Sequence, residues 1–291
     1  MMDLVSLNRL LKSNLFPFNE VVVNNGLNPS LLSISHKGQR LIKLKTGTLF
    51  SHGNYSALEF GPRGELLTLG VDKEFRLQLG SQSWKRRKAE HPHDLTFYKD
   101  DYYYAATIQN KIMKVGSDSP VWEHGSKKID SVHVNGVTFD ENGSLIVTYL
   151  GCDTDKDFGW KERTTPGEVL FTSTGVKIPI GMPHSPFYYE GTTYVLDTTK
   201  STLVAITGTF VTTVVNDLPG FVRGLYIKDG VAVIGSSWHD RDRASSHKFL
   251  SNYDLHGDAG LTFFNLNTKE RMFCKFNKNT PCQSVMDIAV R

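Results

Sequence analysis

A short phrase that recurs six times is the feature of this sequence that most restricts its fold. Each copy opens on a polar residue or Met, has an aliphatic residue or proline two positions later, and then runs toward a turn. The aliphatic or proline positions are 37, 42, 49, 39 and 63 residues apart, and about 40 to 50 residues is the usual length of one propeller blade. The six copies are Ser56–Phe60, His93–Phe97, Asn135–Phe139, His184–Tyr188, Arg223–Ile227 and Met286–Val290.

The residues after each phrase predict further short strands joined by turns. Behind the third phrase, for example, strand-like segments follow at Ser144–Leu150, Glu168–Thr172 and Val176–Ile180. They are rich in Val, Ile, Thr and aromatic residues, which favour strands, and helical periodicity is absent after the first dozen residues. Four short antiparallel strands make a propeller blade. The sequence therefore predicts an all-β, six-bladed β-propeller.

The two ends of the chain predict how the ring closes. The sixth phrase reaches the C-terminus without the rest of its blade, while Leu31–Ser35 and Arg40–Lys45 resemble strands that lack an inner partner. Pairing of the C-terminal strand with N-terminal strands would leave no free sheet edge at the seam. We therefore expect the propeller to span 27–291.

The first 26 residues are predicted to form a short helix and an arm outside the propeller. Leu4, Leu7, Leu10 and Leu11 recur at helical spacing. Charged and polar residues interrupt this stretch, so it does not resemble the core of a signal peptide.

Composition limits the partners that we expect. The 33 basic and 30 acidic side chains give a net charge of +3, which is too even to indicate specific binding to nucleic acid. No apolar run is long enough to span a membrane. Three cysteines, an odd number, favour a reducing compartment and predict a cytoplasmic protein. The sequence leaves the oligomeric state open.

The residues that open the phrases are predicted to meet at one mouth of the central channel. In a propeller the first strand of each blade lines the channel, so equivalent positions form a ring. His133 precedes Asn135 by two positions and should point to the same side, because side chains alternate along a strand. The six openers are Ser56, His93, Asn135, His184, Arg223 and Met286.

Two long insertions are predicted to wall this mouth. Residues 151–167 and 237–260 both fall between the second and third strands of a blade, and that connection returns to the face of the openers. Long loops in a compact domain are commonly functional. The second insertion brings Trp238 and His239 toward the mouth, and we expect both, with Asn135 and Ser56, to bind substrate.

The histidines of the mouth support two kinds of chemistry. Imidazoles from different blades can bind a transition metal, so His93, His133 and His184 predict a site for one divalent metal ion of unknown identity. The same three histidines can instead act as general acids and bases. Arg223 would then hold an anionic group or a developing negative charge.

Two functions therefore remain open at the level of sequence. The first is an enzyme of hydrolase or lyase type that acts on a small polar or anionic metabolite, using His93, His133, His184 and Arg223. The second is a non-catalytic propeller that serves as a binding module or as a structural component of a larger assembly such as a virus particle, since fold does not determine function.

Several motifs also resemble those of a bacterial propeller family of unknown function. They are His93-Asp94-Leu95, His133-Val134-Asn135-Gly136, Met182-Pro183-His184-Ser185-Pro186 and Leu218–Leu225. The likeness runs from about His91 to Arg291 and implies the propeller fold and the mouth residues, but no reaction. More distantly the chain is similar to gluconolactonase and strictosidine synthase propellers, which implies a site in the same channel. The metal site of that group uses glutamate with asparagine and aspartate, a set that this ring of openers does not offer.

Overall fold

In a computed structural model, most of the described residues lie in β-strands. The described residues are 9–10, 13, 15, 17–18, 20–25, 30–37, 40–47, 55–64, 66–70, 74–79, 82–88, 92–151, 156–238, 257–276 and 285–290. Within them lie six sheets of four antiparallel strands each. None of the described helices is long and apolar enough to cross a membrane.

Each sheet is one blade, and its strands follow one another from the axis outwards. The closing blade contains β1 (Glu20–Asn25), β2 (Ser30–Lys37) and β3 (Arg40–Gly47). Blade 1 contains β4 (Tyr55–Phe60), β5 (Leu66–Gly70), β6 (Glu74–Leu79) and β7 (Gln82–Lys88). Blade 2 contains β8 (Pro92–Tyr98), β9 (Asp101–Ala106), β10 (Lys111–Lys114) and β11 (Pro120–Glu123). Blade 3 contains β12 (Val134–Phe139), β13 (Leu145–Tyr149), β14 (Gly167–Phe171) and β15 (Val176–Ile180). Blade 4 contains β16 (Pro183–Tyr189), β17 (Thr192–Asp197), β18 (Thr202–Thr207) and β19 (Phe210–Val215). Blade 5 contains β20 (Phe221–Lys228), β21 (Val231–Ser237), β22 (Gly260–Asn265) and β23 (Arg271–Lys275), and β24 (Val285–Val290) completes the closing blade.

The inner strands form a closed ring, which confirms the six-bladed propeller. Strands β4, β8, β12, β16, β20 and β24 each pack against the next, and β24 also packs against β4. In the closing blade the strand order is β24-β1-β2-β3, so the C-terminal strand pairs with N-terminal strands as the sequence predicts. Two 3-10 helices, Thr107–Gln109 and Gly159–Glu162, lie in connections among the described residues.

The N-terminal boundary of the propeller differs from the prediction. Strand β1 begins at Glu20 and pairs on one side with β2 and on the other with β24, so the closing blade starts before residue 27. Arg9 and Leu10 are helical, whereas most of the predicted N-terminal helix lies outside the described residues. Buried Leu10 and Phe18 pack with the core of blade 5 and the closing blade.

Side-chain hydrogen bonds join neighbouring blades at the end where the inner strands begin. In each bond a polar side chain of one blade donates to the carbonyl of the first or second residue in the next inner strand. We call these bonds clasps. Four of them lie within the described residues: Thr107 Oγ1 to Val134 O (2.7 Å), Asn135 Nδ2 to Pro183 O (2.8 Å), Thr198 Oγ1 to Val222 O (2.9 Å) and Ser237 Oγ to Val285 O (2.9 Å).

Every inner strand also carries a shift of register near its opening residues. Such a bulge places an extra residue on one strand and changes which face the following side chains reach. The shifts lie between Tyr55 and Ala57, Pro92 and Leu95, Val134 and Gly136, His184 and Phe187, Arg223 and Leu225, and, in β1 opposite β24, Val23 and Asn25. The structural repeat thus includes the irregularity as well as the strands.

Below the openers, the aliphatic and proline positions of the six phrases close the channel. All six side chains are buried, and together they line a cavity of about 30 Å³ on the axis. We call this ring the collar; it consists of Leu58, Leu95, Val137, Pro186, Leu225 and Ile288. The cavity has room for one or two water molecules, so the mouth above it is a cup rather than the end of an open tunnel.

Two carboxyl groups, Glu59 and Asp94, also line the cavity. Burial raises the pKa of Glu59 to about 8, a hydrogen bond from Phe60 N opposes the rise, and the charge of Asp94 adds to it. Burial likewise raises the pKa of Asp94 to about 7, although its Oδ2 accepts a hydrogen bond from Val137 N at 2.8 Å. Asp94 thereby links blade 2 to blade 3.

We predict that Ser237→Ala destabilises the seam of the ring. The Ser237 hydroxyl donates to Val285 O at 2.9 Å and accepts from Val285 N at 2.8 Å, so its removal leaves two buried backbone groups of β24 without this partner. We expect the free energy of unfolding in urea to fall by about 1–3 kcal/mol. The control is Ser173→Ala, at an exposed turn of blade 3. Equal stability of the two variants would show that the clasp does not hold the closing strand.

We predict that Glu59→Gln weakens the dependence of stability on pH. The folded state retains a proton on Glu59 up to about pH 8, whereas the ordinary pKa of this group is 4.5. Because the folded state then binds more protons than the unfolded state, stability falls as the pH rises between these values. The variant should bind about one proton fewer on folding, measured as the slope of the unfolding free energy against pH. Glu270→Gln, in an exposed turn of blade 5, should keep the wild-type slope, and an unchanged slope in Glu59→Gln would contradict the assignment.

Candidate functional site

The openers of the phrases all lie near the start of an inner strand, at the same end of the propeller. Ser56 is in β4, His93 in β8, Asn135 in β12, His184 in β16, Arg223 in β20 and Met286 in β24. The side chains of Ser56 and Met286 lie outside the described residues. The first insertion connects β13 with β14 and the second connects β21 with β22, so both return to this end of their blades.

One half of the mouth is built around His133 and Asp130. His133 Nδ1 lies 2.9 Å from Asp130 Oδ1, and both side chains are buried. Trp160 Nε1 donates to the second oxygen, Asp130 Oδ2, at 3.0 Å. Because the carboxylate can only accept, His133 carries its proton on Nδ1 and presents the lone pair of Nε2 on the other edge of the ring. This is the arrangement in which an aspartate orients a histidine for work as a base.

The rings around His133 come from three parts of the chain. The ring centroids of His93 and His133 are 4.6 Å apart in an edge-on contact, which places blades 2 and 3 side by side here. The centroid of Trp160 lies 4.0 Å from that of His133. Trp160 belongs to the 3-10 helix of the first insertion, so this insertion walls the mouth as the sequence predicts.

The backbone at His133 is held in a conformation that favours glycine. The φ angles of Asp130 and His133 are 46° and 52°, and an L-residue in this left-handed region costs about 1–2 kcal/mol. Leu150, which follows β13, helps to hold the segment, because its N–H donates to Val132 O at 2.9 Å. The fold therefore fixes the direction of the His133 ring through its own backbone.

The other half of the mouth is built around His184. Its Nδ1 lies 2.8 Å from Thr198 Oγ1 and 3.3 Å from Met182 O. The Thr198 hydroxyl donates its one proton to Val222 O in the clasp. The Thr198 hydroxyl must therefore accept from His184, and the carbonyl of Met182 can only accept as well. His184 consequently carries its proton on Nδ1 and an unprotonated Nε2.

Positive charge surrounds His184. Burial holds the pKa of His184 well below its ordinary value, and electrostatic interactions with Arg223, His133 and Arg163 act in the same direction, against a hydrogen bond to Met182 O. The guanidinium carbon of Arg223 lies 4.6 Å from the ring centroid of Phe221. Arg163 is buried and donates to carbonyls of the first insertion and of Gly181. His184 thus stays neutral between two permanent cations.

Asn135 is used to join blades. Its amide nitrogen makes the clasp to Pro183 O, and its Oδ1 accepts from Thr148 Oγ1 at 2.8 Å. Its exposed fraction is 2%. The bulge between Val134 and Gly136 explains why Asn135 and His133 do not share one environment as simple alternation predicts. We therefore give Asn135 a structural role in place of the predicted contact with substrate.

The histidines at the mouth are the predicted metal ligands. In the described part of the chain, no group of three or more His, Cys, Asp or Glu side chains is arranged to hold a metal ion. Nδ1 of His133 faces Asp130 and that of His184 faces Thr198, so each ring keeps its Nε2 for another partner. An imidazole held in this way can bind a metal ion or act as a base, and the metal site of His93, His133 and His184 stays a prediction.

The remaining predicted residues lie at the second insertion. Trp238 directly follows β21, whose last residue, Ser237, pairs with Phe221 at the start of β20. Its side chain is 50% exposed, so a large aromatic surface is available at this end of blade 5. His239 lies outside the described residues.

Sequence reasoning missed four residues of the site: Asp130, Trp160, Arg163 and Thr198. Asp130 precedes His133 by three residues, a spacing that carries no known motif. Trp160 and Arg163 lie in an insertion whose position, but not whose contacts, could be predicted. Thr198 follows the end of β17, and nothing in its neighbourhood indicates that it meets His184.

Comparisons with known proteins support the fold. A structure of a protein of unknown function from Bacteroides caccae has a TM-score of 0.63 at 12% identity, over 94% of this chain and 98% of that one. A protein from Lactobacillus plantarum has a TM-score of 0.54 at 13% identity, over 94% and 99% of the two chains. One chain of a nidogen/laminin complex gives 0.62 at 9% identity, over 93% and 97%. No curated protein matches the sequence.

A family model gives the most direct relationship. It matches residues 87–290, which cover blades 2 to 5 and strand β24 together with all of the described mouth residues. The resemblance to a propeller family of unknown function is thus confirmed, and the chain belongs to the family described as the domain of unknown function DUF4915.

Proposed function

We propose that this protein is an enzyme of hydrolase or lyase type that binds a small anionic metabolite at the mouth of the propeller. His133, oriented by Asp130, is the general base, and Arg223 holds the negative charge of the substrate. The observation that carries this proposal is the buried pair of His133 and Asp130, with both carboxylate oxygens engaged.

The base function rests on the proton arrangement of His133. With its proton on Nδ1 held by Asp130, Nε2 can take a proton from a water molecule that attacks the substrate, or from a carbon atom next to a carboxylate. The first reaction is a hydrolysis and the second begins an elimination. A positioned base contributes roughly 10²–10⁴-fold to such rates.

Two positive charges at the mouth support a negatively charged substrate. Arg223 and Arg163 are permanently charged, and both depress the pKa of the buried His184. In a closed cup of low dielectric, such charges attract an anion more strongly than they would in water. The apolar surface of Leu150, Met182, Phe221 and Trp160 beside them excludes water from part of the site.

We predict that Asp130→Asn lowers kcat by about 10²–10⁴-fold with little change in stability. An amide has only one accepting oxygen, so it cannot accept from both Trp160 Nε1 and His133 Nδ1. If its NH₂ group faces His133, the ring must carry its proton on Nε2, where it can no longer act as a base. The substrates to be used are 4-nitrophenyl acetate, 4-nitrophenyl phosphate, a sugar-acid lactone and a set of hydroxy acids. Turnover is followed by colour, proton release and the ultraviolet absorbance of a new unsaturated acid.

The matched control is Asp229→Asn, in the β20–β21 turn at the opposite end of blade 5. It should retain wild-type turnover. Equal turnover in wild type and Asp130→Asn would contradict the role of the pair. Binding of 4-nitrophenyl phosphate or of the hydroxy acids, without turnover of any compound in the set, would instead support a non-catalytic binding module.

A further inference from the structure

One buried nitrogen at the mouth lacks a hydrogen-bond partner among the described residues. Among the described residues, no hydrogen-bond partner lies within reach of His184 Nε2, although this residue is only 4% exposed. A buried polar atom without a partner destabilises a protein, because it has lost its hydrogen bonds to water and gained none. Such an atom at a candidate site needs an explanation, and a ligand that donates a hydrogen bond to it would supply one.

The hydrogen-bond chain behind His184 determines which kind of partner is missing. Val222 O accepts from Thr198 Oγ1, which accepts from His184 Nδ1. Since each step in this chain has only one possible direction, Nε2 has a lone pair and no proton. In a hydrogen bond, Nε2 can therefore accept but cannot donate. A simple carboxylate or phosphate oxygen cannot fill this position.

The positive charge of Arg223 beside His184 requires that the same ligand also carry a negative charge. Arg223 lies close enough for its charge to act on His184, and Phe221 contacts both side chains. Its ring centroid is 5.9 Å from that of His184 and 4.6 Å from Arg223 Cζ. The ligand must therefore carry an anionic group for Arg223 and, close to it, a hydrogen-bond donor for His184 Nε2.

We infer that the ligand of the mouth is a hydroxylated anion, whose hydroxyl group donates to His184 Nε2 while its negative group faces Arg223. This inference rests on the proposed function for the location of the site and narrows its substrate class. Because His184 and Arg223 both contact the ring of Phe221, the hydroxyl and the anionic group of the ligand must be only a few bonds apart. Hydroxycarboxylates and hydroxylated phosphate esters share this chemistry.

Binding measured with matched pairs of compounds tests the inference without any need for turnover. Glycolate is compared with acetate, malate with succinate, and glycerol 1-phosphate with propyl phosphate, each by titration calorimetry on the full chain. Within a pair the compounds differ chiefly in hydroxyl groups. We expect the hydroxylated member of at least one pair to bind about 10- to 100-fold more tightly. The carboxylate and phosphate pairs show which anionic group the site takes.

Two substitutions of one residue distinguish recognition from packing. His184→Asn keeps a donor near Thr198 and Met182 but has no atom at the place of Nε2, so the preference within each pair should fall to about 2-fold or less. His184→Gln reaches the place of Nε2 with an amide oxygen and should keep part of the preference. Arg223→Gln should weaken both members of a pair equally. The exposed Arg271→Gln, on outer strand β23, should change neither.

The results separate this inference from the proposed function. Equal affinity within every pair in wild type, or a full preference retained in His184→Asn, would overturn the hydroxyl contact and leave the base role of His133 untouched. Failure of all six compounds to bind would overturn the hydroxylated anion and the anionic substrate together. A preference for hydroxylated anions without turnover would support the ligand and count against the enzyme.

Discussion

The clasps between blades are the interaction on which the arrangement of this propeller depends. Each blade is a separate sheet, so nothing in the strand ladders themselves fixes one blade against the next. Together with apolar packing between blades, the clasps do this at the end where the inner strands begin, by giving a buried carbonyl of β12, β16, β20 and β24 a donor from the preceding blade. Thr198 shows how structure and site are connected, because its hydroxyl both joins blades 4 and 5 and determines the proton position of His184.

Most of the fold could be predicted because each repeat is marked by a phrase of a few adjacent residues. The phrases mark the inner strands, and the incomplete sixth copy predicts the closing blade. Strand β1 could not be recognised in the same way. Its three consecutive valines, Val21–Val23, show no alternation between apolar and polar residues, and the position of the strand between β2 and β24 depends on residues at the far end of the chain.

The site could be predicted only as a set of positions. The openers and the first insertion do lie at one end of the propeller, since these follow from strand order. The partners of the openers depend instead on bulges, which interrupt the alternation from which side-chain directions are inferred. Asn135 is consequently used between blades, whereas His133, just before the same strand, pairs with Asp130. That pairing also depends on a left-handed backbone at two residues that are not glycine.

The collar limits the route by which a ligand enters and leaves the mouth. Since its six side chains leave room on the axis for only one or two water molecules, a compound that lies above them cannot leave along the axis past the collar. Entry to and departure from the His184 side therefore take place at the mouth end of the propeller, so a bound product and an incoming substrate compete for the same space.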